Sequence, residues 1–253
     1  MKIRALFFLL ALSVFAMSDA TAAEVRIAIA SNFRSTMTSL VNIFEARSAH
    51  KVIASYGSTG KHYAQILNGA PYDLFFAADE HRPQLLEEQG LLVLNSRYTY
   101  AVGKLVLWSP NAMGADLNAT SLDNTDVRHI ALANAKLAPY GRAAEQVLAA
   151  LELDKKLTAK LVRGENIAQT YQFVVTGNAE LGFVANSQII ASGSQDSGSV
   201  WNIPQKFYEP IKQQAVMIKE TAASRDFYAF MQSDTARNII RQDGYKLPPQ
   251  PRR

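Results

Sequence analysis

Short strand-patterned runs alternate with helix-patterned runs along this chain, and the alternation runs through once, breaks, and starts again. Val25-Arg26-Ile27-Ala28-Ile29 has the period of a strand with one buried face. Met37, Leu40, Val41 and Phe44 then fall at i, i+3, i+4 and i+7, which predicts an amphipathic helix. Val52 to Tyr56 is a second strand, and Gly60 to Asn68 a helix stopped by Gly69 in a left-handed cap. Asp73-Leu74-Phe75-Phe76-Ala77-Ala78 is nearly all apolar, as expected of a parallel strand covered on both faces. A helix from Glu80 to Gln89 ends at Gly90. This β-α-β-α-β order demands right-handed crossovers and a parallel sheet with helices on both sides.

A long extended run from Tyr98 to Trp108, broken by Gly103, precedes the restart. His129 to Ala133 is a strand, and Ala144, Val147, Leu148 and Leu151 mark a helix face. Lys160 to Arg163 is a short strand, Ala168 to Thr176 a helix ending at Gly177, and Leu181 to Val184 another strand. A second extended run, Gln213 to Ile218, returns late, and helices around Arg225–Met231 and Thr235–Gln242 close the chain. Two similar α/β units with two long strands between them predict two lobes joined by two crossovers, near 100–104 and 210–214. The ligand would sit in the cleft between them, with hinge closure around it. A single larger α/β domain is the alternative, and no fixed-period repeat suggests a solenoid.

The N-terminus reads differently from the rest. Met1-Lys2-Ile3-Arg4 is basic, Ala5 to Met17 is apolar apart from Ser13, and Ala20-Thr21-Ala22-Ala23 offers a cleavage site. The apolar run is well short of the ~20 residues that span a bilayer, so residues 1–23 read as a cleaved secretory signal peptide. The expected division is then 24–102 and 212–247 in one lobe, 103–211 in the other, and a disordered tail over 248–253. The absence of Cys excludes disulfides, thiolate metal sites and a lipoprotein anchor. Lys and Arg number 26 against 22 Asp and Glu, scattered rather than clustered, which argues against a nucleic-acid partner.

Four segments between a strand and a helix share one chemical character: Ser31-Asn32, Gly57-Ser58-Thr59-Gly60, Pro139-Tyr140-Gly141 and Glu165-Asn166-Ile167. Each is built from small, hydroxyl, amide or backbone-exposing residues. An open α/β sheet binds ligands at the carboxyl ends of its strands. A helix start adds unpaired N–H groups and the positive end of the dipole. Several such starts converging on one point would cage an oxyanion without a formal positive charge. Helix capping competes with binding as the role of Ser31 and Asn32. Gly57 and Gly60 let the backbone approach a ligand, while Ser58 and Thr59 bring hydroxyl donors. Gly-Ser-Thr-Gly-Lys lacks the spacing of a nucleotide-binding loop.

Other chemistries find little support. The four His have no metal-ligand spacing, and Asp79 is expected to cap a helix. No Gly-x-Ser-x-Gly elbow accompanies Ser31 or Thr59. Arg34, Lys61, Arg142 and Glu165 adjoin the loops, but charged side chains early in a helix usually face water.

Taken in order, these segments resemble the periplasmic molybdate-binding proteins of bacterial molybdate ABC transporters. Ala30-Ser31-Asn32-Phe33, Gly57 to Gly60, Asn68 to Asp79, Gly103 to Trp108, Ala138 to Gly141, Glu180 to Val184 and Tyr208 to Ile211 carry the resemblance, which runs from about Val25 to Leu247. It implies a two-lobed periplasmic binding protein (type II) α/β fold that holds molybdate, and tungstate, between the lobes. It also implies a binding protein rather than an enzyme, without cofactor or metal other than the oxyanion. Such a protein acts as a monomer in the periplasm and hands its cargo to a membrane permease. Carried over residue by residue, Ser31 and Thr59 supply hydroxyls, with Ser58 a close neighbour, and Tyr140 and Ile167 supply main-chain N–H groups. Ala185 departs from the family, many members of which place a ligand-contacting Tyr there. The resemblance gives Asn32 the task of replacing that donor. The alternatives are a receptor for sulfate or phosphate, and a secreted ester hydrolase. The hydrolase would need a nucleophile activated by a base or metal.

Overall fold

The computed structural model describes residues 23–111, 117–194 and 198–248. The expected signal peptide, apart from Ala23, and the tail beyond Pro248 lie outside them. In chain order the first part comprises β1 (Glu24–Ala30), α1 (Arg34–Glu45), β2 (Lys51–Gly57), α2 (Thr59–Leu67), β3 (Leu74–Phe76), α3 (His81–Glu88) and β4 (Tyr98–Gly103). The second comprises β5 (Leu105–Ser109), β6 (Ile130–Ala133), α4 (Pro139–Ala150), β7 (Leu161–Gly164), α5 (Ile167–Val175), β8 (Leu181–Ala185), α6 (Asn186–Ala191) and β9 (Ser199–Asn202). The chain then returns through β10 (Ile211–Met217), α7 (Ala222–Met231) and α8 (Asp234–Gln242).

Two five-stranded sheets result, ordered β2-β1-β3-β10-β4 and β7-β6-β8-β5-β9. In the first, β1 runs parallel to β2 and β3, and β10 antiparallel to β3 and β4. In the second, β6 runs parallel to β7 and β8, and β5 antiparallel to β8 and β9. The lobes thus share one layout. The extended run 98–108, read from the sequence as one broken strand, is two strands in different sheets separated by Lys104 alone. The short helix α6 and the edge strand β9 escaped the sequence reading, because six and four residues carry too little periodicity.

Each lobe closes over its own core. Val25, Ile27 and Ile29 of β1 pack with Phe33, Met37, Leu40 and Phe44, so the helical stripe seen in the sequence faces the sheet. Phe227, Met231, Ala236 and Ile240 join that core, which places the two C-terminal helices on the first lobe. Burying each large apolar side chain contributes about 1.5–3 kcal/mol. In the second lobe Leu105, Leu107, Ile130, Leu132, Val147, Leu148 and Phe183 do the same. Gly69, Gly90 and Gly177 take φ of +80°, +66° and +73° after α2, α3 and α5, the left-handed stops expected of them. Among the described residues no helix is long and apolar enough to cross a membrane.

Candidate functional site

The carboxyl ends of β1, β2, β6 and β7 point into the cleft, and the loops that follow them meet there. Ser31, Asn32, Ser58, Thr59, Tyr140 and Ile167 all line one small cavity between the lobes, together with Asn166 and walls of Ala30, Ala78 and Ala138. The space inside is tight: about 10 Å³ is open to the centre of a water-sized sphere, roughly what a single water needs. A drug-sized molecule, which takes ~300 Å³ or more, is excluded. No lining residue carries a formal charge.

The donors are arranged with care. Ser58 precedes α2 but makes no capping bond, and its buried Oγ has no hydrogen-bond partner. A serine in this position normally bonds the N–H of the second or third helical residue. Here the hydroxyl is left to the cavity. Thr59 Oγ1 accepts the Ala78 N–H at 3.0 Å, so one lone pair is used and its proton is free to be donated. The main-chain N–H groups of Thr59, Tyr140 and Ile167, at the starts of α2, α4 and α5, meet no acceptor among the described residues. Three helix dipoles therefore end on the cavity with their positive ends.

Two expected ligands have other partners. The Ser31 hydroxyl donates to Asn166 Oδ1 of the opposite lobe at 3.2 Å and receives the Ala168 N–H at 3.4 Å. It serves here as a lobe-to-lobe clasp. Asn32, expected to replace the donor missing at Ala185, has its Nδ2 committed to Gln213 Oε1 at 2.9 Å and Tyr245 OH at 3.1 Å. Ala185 itself is buried away from the cavity lining, and its N–H goes to Gln188 Oε1 at 2.9 Å. Asn166 was missed as a site residue. Its Oδ1 caps α5 through the N–H groups of Ala168 and Gln169 while taking the Ser31 hydroxyl. An Asn immediately before a helix-patterned run was the available signal.

The backbone loops touch across the cleft. Gly60 donates its N–H to Leu137 O at 2.8 Å, and a Cβ there would come within 3.1 Å of Leu137. Arg82 reaches over the same contact, pairing with Asp79 and donating to Lys136 O at 2.8 Å. Asp79 Oδ1 also accepts the Arg82 N–H, the helix-start role predicted for it. Gly57 is needed because a Cβ would meet His62 Nε2 at 2.9 Å. Burial lowers the pKa of His62, which keeps its ring neutral beneath the loop, with Nε2 3.2 Å from Ile29 O. The charged neighbours stand outside the cavity lining. Arg34 lies over the Tyr56 ring at 4.0 Å, Lys61 pairs with Glu165 at 2.8 Å across the cleft mouth, and Arg142 borders a separate groove.

The chain is similar to known proteins over most of its length. Residues 25–246 match the model of the bacterial extracellular solute-binding protein family. The molybdate-binding protein ModA of Azotobacter vinelandii is 47% identical over 231 residues, covering 90% of this chain and 92% of that protein. The molybdate-binding protein ModA of Rhodobacter capsulatus is 43% identical over 229 residues, covering 89% of each. The solved periplasmic molybdate-binding protein of Azotobacter vinelandii superposes with a TM-score of 0.85 at 43% identity. That superposition covers 89% of this chain and 100% of the other.

Proposed function

We propose that this chain, which belongs to the bacterial extracellular solute-binding protein family and within it to the molybdate-binding group, captures molybdate, and also tungstate, for import by an ABC transporter. In this reading it works in the periplasm as a monomer and passes its cargo to a membrane permease. Residues 24–102 with 212–247 form one lobe of the type II fold and residues 103–211 the other.

The observation that carries the reading is the set of neutral donors without partners among the described residues around one small cavity: Ser58 Oγ, the Thr59 hydroxyl, and the N–H groups of Thr59, Tyr140 and Ile167. Hydrogen bonds to an ionised acceptor are roughly twice as strong as neutral ones. A fully deprotonated dianion would satisfy all these donors at once and spread its charge into three helix ends. Size selection follows from rigidity: hydrogen bonds lengthened for a smaller ion weaken, and the Gly60–Leu137 and Ser31–Asn166 contacts fix how far the lobes close. Binding rather than turnover is favoured because the lining holds no carboxylate or imidazole to activate a hydroxyl.

The test is isothermal titration of the anion-stripped chain, from residue 24 onward, with molybdate, tungstate, sulfate and phosphate. Tight one-to-one binding of the first two, without the others, is expected. Binding of sulfate or phosphate instead would mean a cage sized for another oxyanion. No binding of any, with turnover of a generic phosphate or sulfate ester, would replace the receptor with a hydrolase.

A further inference from the structure

We infer that Gln213 is a positioning residue for the cage: it and Asn32 form a pair of carboxamides that turn over together, and the turn converts the edge Asn32 presents to the cavity from acceptor to donor. The inference rests on the oxyanion-receptor reading and goes beyond it. It starts from one conflict. Asn32 lines the cavity, yet its Nδ2 faces Gln213 and Tyr245, and its buried Oδ1 has no partner among the described residues. A lone acceptor edge among donors is the wrong group for an oxyanion.

The surroundings of the pair resolve the conflict. Gln213 is fully buried on β10, and its register with β4 shifts at this point. Gln213 pairs with Ala101 and Gln214 with Thr99, so Tyr100 is the extra residue of a bulge. Gln213 Oε1 accepts from Asn32 Nδ2 at 2.9 Å and from Tyr100 OH at 3.0 Å, and its Nε2 donates to Tyr140 OH at 3.3 Å. Tyr245 OH receives Asn32 Nδ2 and lies 2.9 Å from Ser187 Oγ. Every partner of the two carboxamides, other than each other, is a hydroxyl. Hydroxyls donate or accept as required. Burial raises the pKa of Tyr100, Tyr140 and Tyr245, so all three keep their protons.

The network can therefore be reversed at the cost of one bond: the Tyr245 proton leaves Asn32 O, 2.9 Å away, which keeps the Ser187 hydroxyl at 3.3 Å. With both carboxamides turned, Gln213 Nε2 donates to Asn32 Oδ1 and Tyr100 OH, and Tyr140 OH donates to Gln213 Oε1. Tyr100 then donates to Ala77 O, already 3.2 Å away, and Tyr245 to Asn32 Oδ1. Asn32 Nδ2 now faces the cavity with both protons. A carboxamide's two ends are nearly equal in size, so hydrogen bonding alone decides its orientation. A bound dianion selects the donor state. That state also removes Asn32 Oδ1 as an acceptor for a proton on the ligand, which disfavours hydrogen phosphate. Because Tyr140 belongs to the second lobe and Asn32 to the first, Gln213 links a donor element of each.

Two measurements test this. The side-chain amide signals of Asn32 and Gln213 in ¹⁵N-labelled protein should both move on titration with molybdate, although Gln213 does not line the cavity. In Asn32→Ala the Gln213 response should vanish while binding, though weaker, persists; lobe closure alone would still move it. Gln213→Glu accepts but cannot donate, which holds Asn32 Nδ2 away from the cavity. Its molybdate Kd should rise about tenfold or more, and further than that of Gln213→Met, which leaves Asn32 free to turn. A Gln213 signal that stays still in wild type, or one that still moves in Asn32→Ala, overturns the inference, as does a wild-type Kd in Gln213→Glu. Failure of the wild-type protein to bind molybdate or tungstate would instead defeat the receptor reading, and this inference with it.

Discussion

The first lobe meets the cavity with the side-chain hydroxyls of Ser58 and Thr59 beside one main-chain N–H, that of Thr59, whereas the second meets it with the main-chain N–H groups of Tyr140 and Ile167 and no hydroxyl. The two halves grow from the same sheet layout and sit at equivalent strand ends. Their chemistry differs in what fixes it. A hydroxyl depends on residue identity and can rotate; a helix-start N–H depends on backbone path and cannot. One half is adjustable by substitution, and the other sets a fixed distance against which the first must fit.

The largest effect is expected at Thr59, where under the proposed function a single hydroxyl serves both the ligand and the fold. Thr59→Val keeps the shape, removes the donor to the anion, and leaves the Ala78 N–H without its acceptor. Loss of a hydrogen bond to a charged group costs about 1.5–3 kcal/mol, and an unpaired buried N–H about 1–3 kcal/mol. Titration should show molybdate affinity falling at least tenfold, and urea denaturation should show lower stability. Thr59→Ser should restore both. Unchanged affinity in Thr59→Val would remove the hydroxyl from the cage.

Ile167 tests the other half, where changing the side chain should matter little. Ile167→Ala should bind molybdate within about threefold of wild type, because the donor is the backbone. Ile167→Pro deletes that donor while sparing the helix. The first helical position tolerates proline, as Pro139 already demonstrates in α4. The preceding Asn166 is extended, at φ −146° and ψ 173°, as a residue before proline must be. Affinity should drop about tenfold in Ile167→Pro, the lower end of the cost of a charge-assisted bond. Equal binding by the alanine and proline variants would show that this N–H takes no part.

The same contrast explains what the sequence could reveal. The two-lobed α/β fold was legible because periodicity of 2 and 3.6 is written in residues such as Ile27, Ile29, Met37 and Leu40, which do face the core. Ser58 and Thr59 were legible as hydroxyls flanked by glycines. Tyr140 and Ile167 were legible only as parts of two helix-start segments, since a main-chain donor leaves no mark on residue type, and the family resemblance singled them out within those segments. Asn32 shows the opposite limit. Its type suggested a donor, but the orientation of its amide depends on Gln213, Tyr100 and Tyr245, which are far away in sequence. Arg82 and Asn166 depend likewise on which loops the fold brings together.

Among the changes that delete a donor, Ser58→Ala gives the smallest expected effect and the sharpest separation of binding from folding. Its hydroxyl makes no bond among the described residues, so Ser58→Ala removes a buried unpartnered oxygen rather than a stabilising contact. The usual cost of losing a serine at a helix start, about 0.5–2 kcal/mol, comes from a capping bond that is absent here. Stability in urea should therefore stay level or rise slightly, the reverse of Thr59→Val. Molybdate affinity should fall about five- to tenfold, less than at Thr59, because a hydroxyl with no second bond to hold it must give up rotational freedom to bind. A drop in stability would mean that Ser58 has a structural partner in solution. A fall in affinity without one would place it among the hydroxyls kept for the ligand, and would show that the first lobe leaves a polar group buried and unpaired in order to bind.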